Sequence, residues 1–169
     1  MSPPTAHKAF RLALIQMQVT ANKAANLAHA RSMVQAASRS GAQVVVLPEC
    51  FNSPYAHLFD IDVPGGICFK ESEVLTAGDS ISMVDTEYGR IGVGICCDMR
   101  FPEMAMVAAR REGLVDPMGG SYTIDESESI VYADVDPAVV SATRQAIPVY
   151  SQRRFDLYPD VADKAVGKE

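Results

Sequence analysis

The chain has 169 residues, enough for one domain with its own core. Hydrophobic residues make up 48% of it, the mean hydropathy is +0.04 and the formal net charge is −6. Disorder is therefore disfavoured, and so is nucleic acid as a main partner, because no basic field exists to displace counterions.

Residues 1–8 read as a flexible tail with two prolines. The opening MSPPTAHKAF has no apolar signal core, and no run is long enough to cross a bilayer. Cys50, Cys68, Cys96 and Cys97 form no CxxC pair, so they are read as reduced thiols. A cytoplasmic location is expected, with mitochondria also compatible, and no membrane partner.

Phe10 to Met17 is apolar on both alternating faces, which predicts a central buried strand. Asn22 to Arg39 reads as a helix, with Leu27, Ala30, Val34 and Ala37 on its apolar stripe and Gly41 at its C-terminal stop. Val44 to Leu47 is a short apolar run of parallel type, which completes a strand–helix–strand opening. Pro48 ends that strand and Glu49 follows at once. Phe51 to Tyr55 is loop chemistry.

HLFDIDVPGG, from His57, alternates Asp60 and Asp62 with Phe59, Ile61 and Val63. A metal pair lacks a third ligand at useful spacing, so a solvated strand face is expected and no metal or cofactor is assigned. Phe69 to Leu75 carries little pattern. Ile81 to Asp85 and Ile91 to Ile95 read as an antiparallel hairpin, the second strand stopping at Cys96. Pro102 to Arg111 is helical, stopped by Gly113. Ser121 to Asp125 and Ile130 to Val135 look like a second hairpin. Asp136-Pro137 caps a helix through Gln145. Val149 to Tyr158 reads as a tail that docks on another surface, and 159–169 as a flexible end.

Cys96 and Glu49 are the candidates for chemistry, since each follows a buried strand where ligands tend to bind. A strand-end thiol is either a nucleophile or a small buried apolar residue. A nucleophilic thiol, with an ordinary pKa of about 8.5, needs a base within reach. His7 lies in the tail and His29 inside the first helix, while His57 is a possible cysteine-protease-like partner with no local signature. Glu49 is the better base by placement, because a carboxylate taken out of water accepts a proton more readily.

LPECFNSPY (Leu47–Tyr55) and GICCDMRFPE (Gly94–Glu103) resemble the glutamate and cysteine motifs of the nitrilase, or carbon–nitrogen hydrolase, superfamily. FRLALIQ, HLFDIDVPG, DPMGGSYT and RQAIPVYSQRRFDLY bring the likeness nearest to its omega-amidases and extend it over most of the chain. The resemblance implies an α/β fold, a nitrilase-like αββα sandwich over residues 9–158 that dimerises. It also implies hydrolysis of the terminal amide of 2-oxo dicarboxylic acid monoamides, such as 2-oxoglutaramate, through a cysteine thioester with release of ammonia. By position, Cys96 matches the nucleophile and Glu49 the general base. Position 97 is Cys where an aromatic is usual; the Cys97 backbone N–H remains a possible oxyanion donor. Arg100 matches a motif position and is assigned a structural ion pair more readily than a substrate contact.

The same resemblance places a lysine two residues before HLFD, where this chain has Tyr55. Lys8, Lys23, Lys70, Lys164 and Lys168 all lie outside that motif. LPECFNSPY runs straight into HLFDIDVPG, and a second junction falls near Gly113–Leu114, where the family carries further elements. The chain therefore reads as an internally shortened member, through exon skipping or a gene-model error. Weak or absent amidase activity is expected of it, with a non-catalytic isoform that pairs with a full-length subunit as the alternative.

Overall fold

Strand β1, Phe10–Gln16, is the centre of the largest packed region. A computed structural model of the protein describes residues 8–52, 59–63, 66–69, 75–111, 113–114, 127–150, 152 and 154. Phe10, Leu12, Ala13 and Ile15 of β1 are all buried, so both faces of the strand are covered, as its two-sided apolar pattern requires. It pairs in parallel with β2, Val44–Val46, with Leu12 opposite Val44. Along its whole length it also pairs antiparallel with a strand from near the chain's end, Ser129–Val135, with Phe10 opposite Val135 and Gln16 opposite Ser129.

Helix α1, Lys23–Arg39, crosses between β1 and β2. Asn22 caps its start by accepting from the Ala25 N–H at 3.1 Å. At its end the Ser40 and Gly41 N–H groups bond back to the Ala36, Ala37 and Ser38 carbonyls, with Gly41 at φ +86°. Only glycine adopts that left-handed turn without strain. The helix packs on the sheet through Ala30, Met33 and Val34, which meet Ile15, Met17, Val45, Leu47, Phe51 and Ile130.

One position on the expected stripe differs. Leu27 is 45% exposed, whereas its neighbour Asn26 is 1% exposed. Asn26 turns inward because every polar atom of its side chain is satisfied there. Its Oδ1 accepts from the Thr20 N–H at 2.9 Å and from Thr20 Oγ1 at 2.8 Å, and its Nδ2 donates to the Thr20 carbonyl at 2.7 Å. These bonds fix the turn that leads from β1 into α1. Asn26→Ala is expected to lower stability by about 1–3 kcal/mol in urea denaturation, and Leu27→Ala by no more than about 0.5 kcal/mol. Equal effects would remove this role from Asn26.

β3, Phe59–Val63, and β4, Gly66–Phe69, form a separate antiparallel pair with a register shift between Asp60 and Val63. The strand at 59–63 agrees with the alternating sequence; its partner at 66–69 is not apparent from pattern. β5, Met83–Thr86, and β6, Gly89–Gly92, form the expected hairpin, with Asp85 opposite Arg90. Arg90 grips both Asp85 oxygens through Nε and Nη2. Helix α2, Pro102–Arg110, then returns the chain to a short β7, Gly113–Leu114, parallel to β6. Gly113, expected only as a helix stop, is thus also the first residue of a strand.

β8, the Ser129–Val135 strand already met, pairs with β1; its expected hairpin partner, Ser121–Asp125, lies outside the described residues, as do the first expected junction at 55–57 and both chain ends. Asp136 caps helix α3, Pro137–Ala146, accepting from the Ala138 N–H at 2.9 Å with Pro137 at the first helical position. The expected αββα sandwich is therefore present in part. Its described sheets hold three, two and three strands, in the orders β2-β1-β8, β3-β4 and β5-β6-β7.

Three exposed carboxyls in this framework are held below the usual carboxylate range. Arg90 does this to Asp85 and Lys8 to Glu87, chiefly through hydrogen bonds. For Glu128 the main cause is the Gln18 N–H, at 2.7 Å, followed by His29 Nε2, also at 2.7 Å. A carboxyl that is more acidic when folded adds stability above its unfolded value and loses it as pH falls through its folded one. The urea midpoint is therefore expected to hold from pH ~7 to ~5 and to fall below pH ~4. The fall should be modest, because these pairs are solvent-screened, and smaller in Glu128→Gln. A midpoint unchanged down to pH ~3 would contradict the assignment.

Candidate active site

Glu49 lies three residues past the last residue of β2. Pro48 offers no N–H to continue a ladder, and residues 49–52 form a turn. Leu47 and Phe51, two residues either side of Glu49, pack against the Ile15–Met17–Ala30 cluster and anchor that turn. Glu49 is half-buried, and Cys50 beside it has φ +53°.

Cys96 is placed differently from the strand-end expectation. β6 stops at Gly92, opposite Met83, the first residue of β5, and one further backbone bond runs from the Val93 N–H to the Ser82 carbonyl at 3.0 Å. Gly92 and Gly94 weaken any continuation. Residues 93–95 leave the sheet, and Cys96 opens a short 3-10 helix, Cys96–Arg100. Cys96 is exposed, which removes the reading as a buried apolar residue. Cys50 and Cys96 are both thiols outside any disulfide.

Cys96 has φ +51°, in the left-handed region that a side-chain-bearing residue occupies only under constraint. Asp98, which the motif reading did not single out, is bonded to the residue before Cys96. The Asp98 carboxylate accepts from the Ile95 N–H at 2.8 Å, while the Asp98 N–H donates to the Ile95 carbonyl at 3.0 Å. The available signal was an acidic residue three positions after a helix-opening residue, the pattern of a reciprocal cap.

Cys97 lies inside the 3-10 helix and Arg100 ends it. Arg100 is exposed, and among the described residues it has no ion-pair partner of the kind expected for it. Lys8 pairs with Glu87 at 2.9 Å and Lys23 is the first residue of α1, so neither described lysine serves Cys96. His29 is engaged with Glu128, while His7 and His57 lie outside the described residues.

Glu49 belongs to the β2-β1-β8 unit and Cys96 to the β5-β6-β7 unit. The two units touch through Lys8 and Glu87 and through the rings of Phe10 and Tyr88, 5.4 Å apart. Among the described residues no hydrogen bond or ion pair joins Glu49 to Cys96. Both motifs are formed locally, each around a cysteine with positive φ, and each follows a strand of a different sheet.

The family model of carbon–nitrogen hydrolases matches residues 11–63 and 56–116. This chain belongs to the carbon–nitrogen hydrolase family. A hydrolase of Schizosaccharomyces pombe is 32% identical to it over 277 aligned residues, covering 94% of this chain and 86% of that one. Omega-amidase NIT2 of Bos taurus is 32% identical over 273, covering 92% and 99%. Nit3 of Saccharomyces cerevisiae, a member of branch 10 of the nitrilase superfamily, superposes with a TM-score of 0.66 at 25% identity, over 88% of this chain and 97% of that one. The Caenorhabditis elegans NitFhit protein shares the fold with a TM-score of 0.72 at 20% identity, over 92% of this chain and 67% of that one.

As a carbon–nitrogen hydrolase the chain is internally short. An alignment of 277 positions against 169 residues leaves at least 108 positions of the S. pombe hydrolase without a counterpart. The family match is broken at 56–63, where LPECFNSPY meets HLFDIDVPG, and it ends at 116, beside the second expected junction.

Proposed function

We propose that this carbon–nitrogen hydrolase is of omega-amidase type, with Cys96 as nucleophile and Glu49 as general base. The substrate class is the terminal amide of a 2-oxo dicarboxylic acid monoamide, such as 2-oxoglutaramate or 2-oxosuccinamate. Glu49 takes the thiol proton and the Cys96 thiolate attacks the amide carbonyl. The Cys97 N–H stabilises the oxyanion, with Arg100 in a supporting role. Collapse breaks the C–N bond; the nitrogen takes the proton from Glu49 and leaves as ammonia. Water, deprotonated by Glu49, then attacks the thioester; the C–S bond breaks to give a carboxylic acid, and Glu49 returns the proton to the departing Cys96 thiolate.

The observation that carries this reading is the exposed Cys96 thiol, held at positive φ on a hydrogen-bonded turn inside the family-matched stretch. Two features lower the expected rate: no lysine stands at the family position, and Glu49 and Cys96 sit in separate units. A homodimer in the cytoplasm is the expected setting.

The placement of Glu49 and Cys96 beside different sheets, with no hydrogen bond joining them among the described residues, favours a second reading, a non-catalytic shortened form that pairs with a full-length subunit. The exposed Val139, Ile147 and Val149 give it apolar surface for doing so. Ammonia release from 2-oxoglutaramate by the purified chain, beside its Cys96→Ala variant, separates the two. Weak release that vanishes in the variant supports the amidase. No release from either, in folded protein, supports the second reading.

A further inference from the structure

We propose that Asp98 is the positioning residue of the Cys96 site: its carboxylate, by holding the Ile95 N–H, keeps Cys96 in the left-handed conformation that presents its thiol. This rests on Cys96 being the nucleophile.

Residues 95 and 98 are tied twice, by the Ile95 N–H to the Asp98 carboxylate at 2.8 Å and by the Asp98 N–H to the Ile95 carbonyl at 3.0 Å. Cys96 and Cys97 are the two residues enclosed. The Asp98 carbonyl in turn accepts from the Phe101 N–H at 3.1 Å, which joins the turn to the start of α2. Asp98 therefore uses its amide, its carbonyl and its side chain within seven residues. A methyl group at Gly94 would stand 3.5 Å from Asp98 Cβ and 3.9 Å from Oδ2, in ordinary van der Waals contact, so this side chain does not depend on a glycine there.

Packing does little of this work. Ile95, Met99 and Phe101 are 59%, 79% and 56% exposed, so the turn's large apolar side chains lie mostly in solvent. A left-handed residue with a Cβ persists only where its surroundings over-determine it. Here the reciprocal 95–98 bonds are the constraint. Without the carboxylate, Ile95 loses its acceptor, Cys96 relaxes toward ordinary backbone conformations, and the thiol leaves the presented position.

The test is acylation of Cys96 by p-nitrophenyl acetate, with release of p-nitrophenolate followed and the acetylated residue located by mass spectrometry. It is run on the whole chain, on Asp98→Asn, which keeps an acceptor oxygen without the charge, and on Asp98→Ala. Far-UV circular dichroism and the exchange rate of the Ile95 amide accompany each. The proposal expects Asp98→Ala to slow Cys96 acylation by about tenfold, the loss of one hydrogen bond to a charged group. It expects faster Ile95 exchange in that variant and near-parent behaviour in Asp98→Asn. Acylation of Cys96 that is the same in parent and Asp98→Ala overturns the positioning role and leaves the nucleophile reading standing. Asp98→Asn behaving like Asp98→Ala also overturns it, since charge and not the hydrogen bond would then be at work. Acylation of Cys96 no faster than that of a simple thiol, in the parent chain, overturns the nucleophile reading itself.

Discussion

Inserting between the two adjoining motifs, at Tyr55–His57, a segment that carries the lysine the family resemblance places there is expected to raise ammonia release from 2-oxoglutaramate by about 10²–10³-fold. On the proposed mechanism two negative charges develop in turn, on the Cys96 sulfur and on the carbonyl oxygen of the tetrahedral intermediate. A fixed ammonium beside them stabilises both. Loss of one such electrostatic donor typically costs about 2.7–4 kcal/mol in the barrier, which is the expected gain on its return. The described lysines do not fill the role, with Lys8 bound to Glu87 and Lys23 opening α1. A graft restores chain as well as charge, so its lysine→Met version is the deciding comparison. If that version is as active as the lysine version, the gain came from structure, and the assignment of the rate deficit to a missing cation is wrong.

Ile15→Ala is expected to destabilise the protein by about 2–5 kcal/mol. Ile15 sits on β1 at the heart of the cluster with Met17 and Ala30, ringed by Met33, Val34, Val45, Leu47, Phe51 and Ile130. Two of its ring, Leu47 and Phe51, hold the Glu49 turn, so a void at Ile15 loosens that turn along with the core. With a urea slope of about 2 kcal/mol per molar, the unfolding midpoint should fall by roughly 1–2.5 M. Val139→Ala, at a side chain 61% exposed on α3, should stay within about 0.5 kcal/mol. Similar losses at both positions would mean that the β1–α1 cluster is not the stabilising core.

Much of this was legible from the sequence because local signals and burial agree. β1 reads as a central strand because it is apolar on both faces, and it has a partner on each side. Asn22, Gly41 and Asp136-Pro137 mark helix ends because capping chemistry is local. The β5–β6 hairpin was likewise visible. Asn26 was hidden because helical periodicity selects apolar residues, and a buried amide is recognised only through its acceptors and donors, all on Thr20. The end of β6 was misplaced by three residues because Ile95 looks like strand, yet its N–H is captured by a side chain beyond Cys96. The pairing of β8 with β1 could not be read at all, since nothing local links the two. The motifs for Glu49 and Cys96 were recognisable, but their mutual placement depends on chain that is not there.

The antiparallel ladder between β1 and β8 joins residues as distant as Arg11 and Asp134, 123 positions apart. During synthesis, Phe10–Gln16 must therefore wait with one side unpaired until most of the chain has been made. The entropy lost in closing such a loop grows only with the logarithm of its length, at about 0.6 kcal/mol per doubling. Removing at least 108 positions from a relative's chain roughly halves the contour to be closed and so barely changes that cost. The terminal halves of the family fold can thus still find each other across a large internal loss, while the elements that depended on the lost segments cannot.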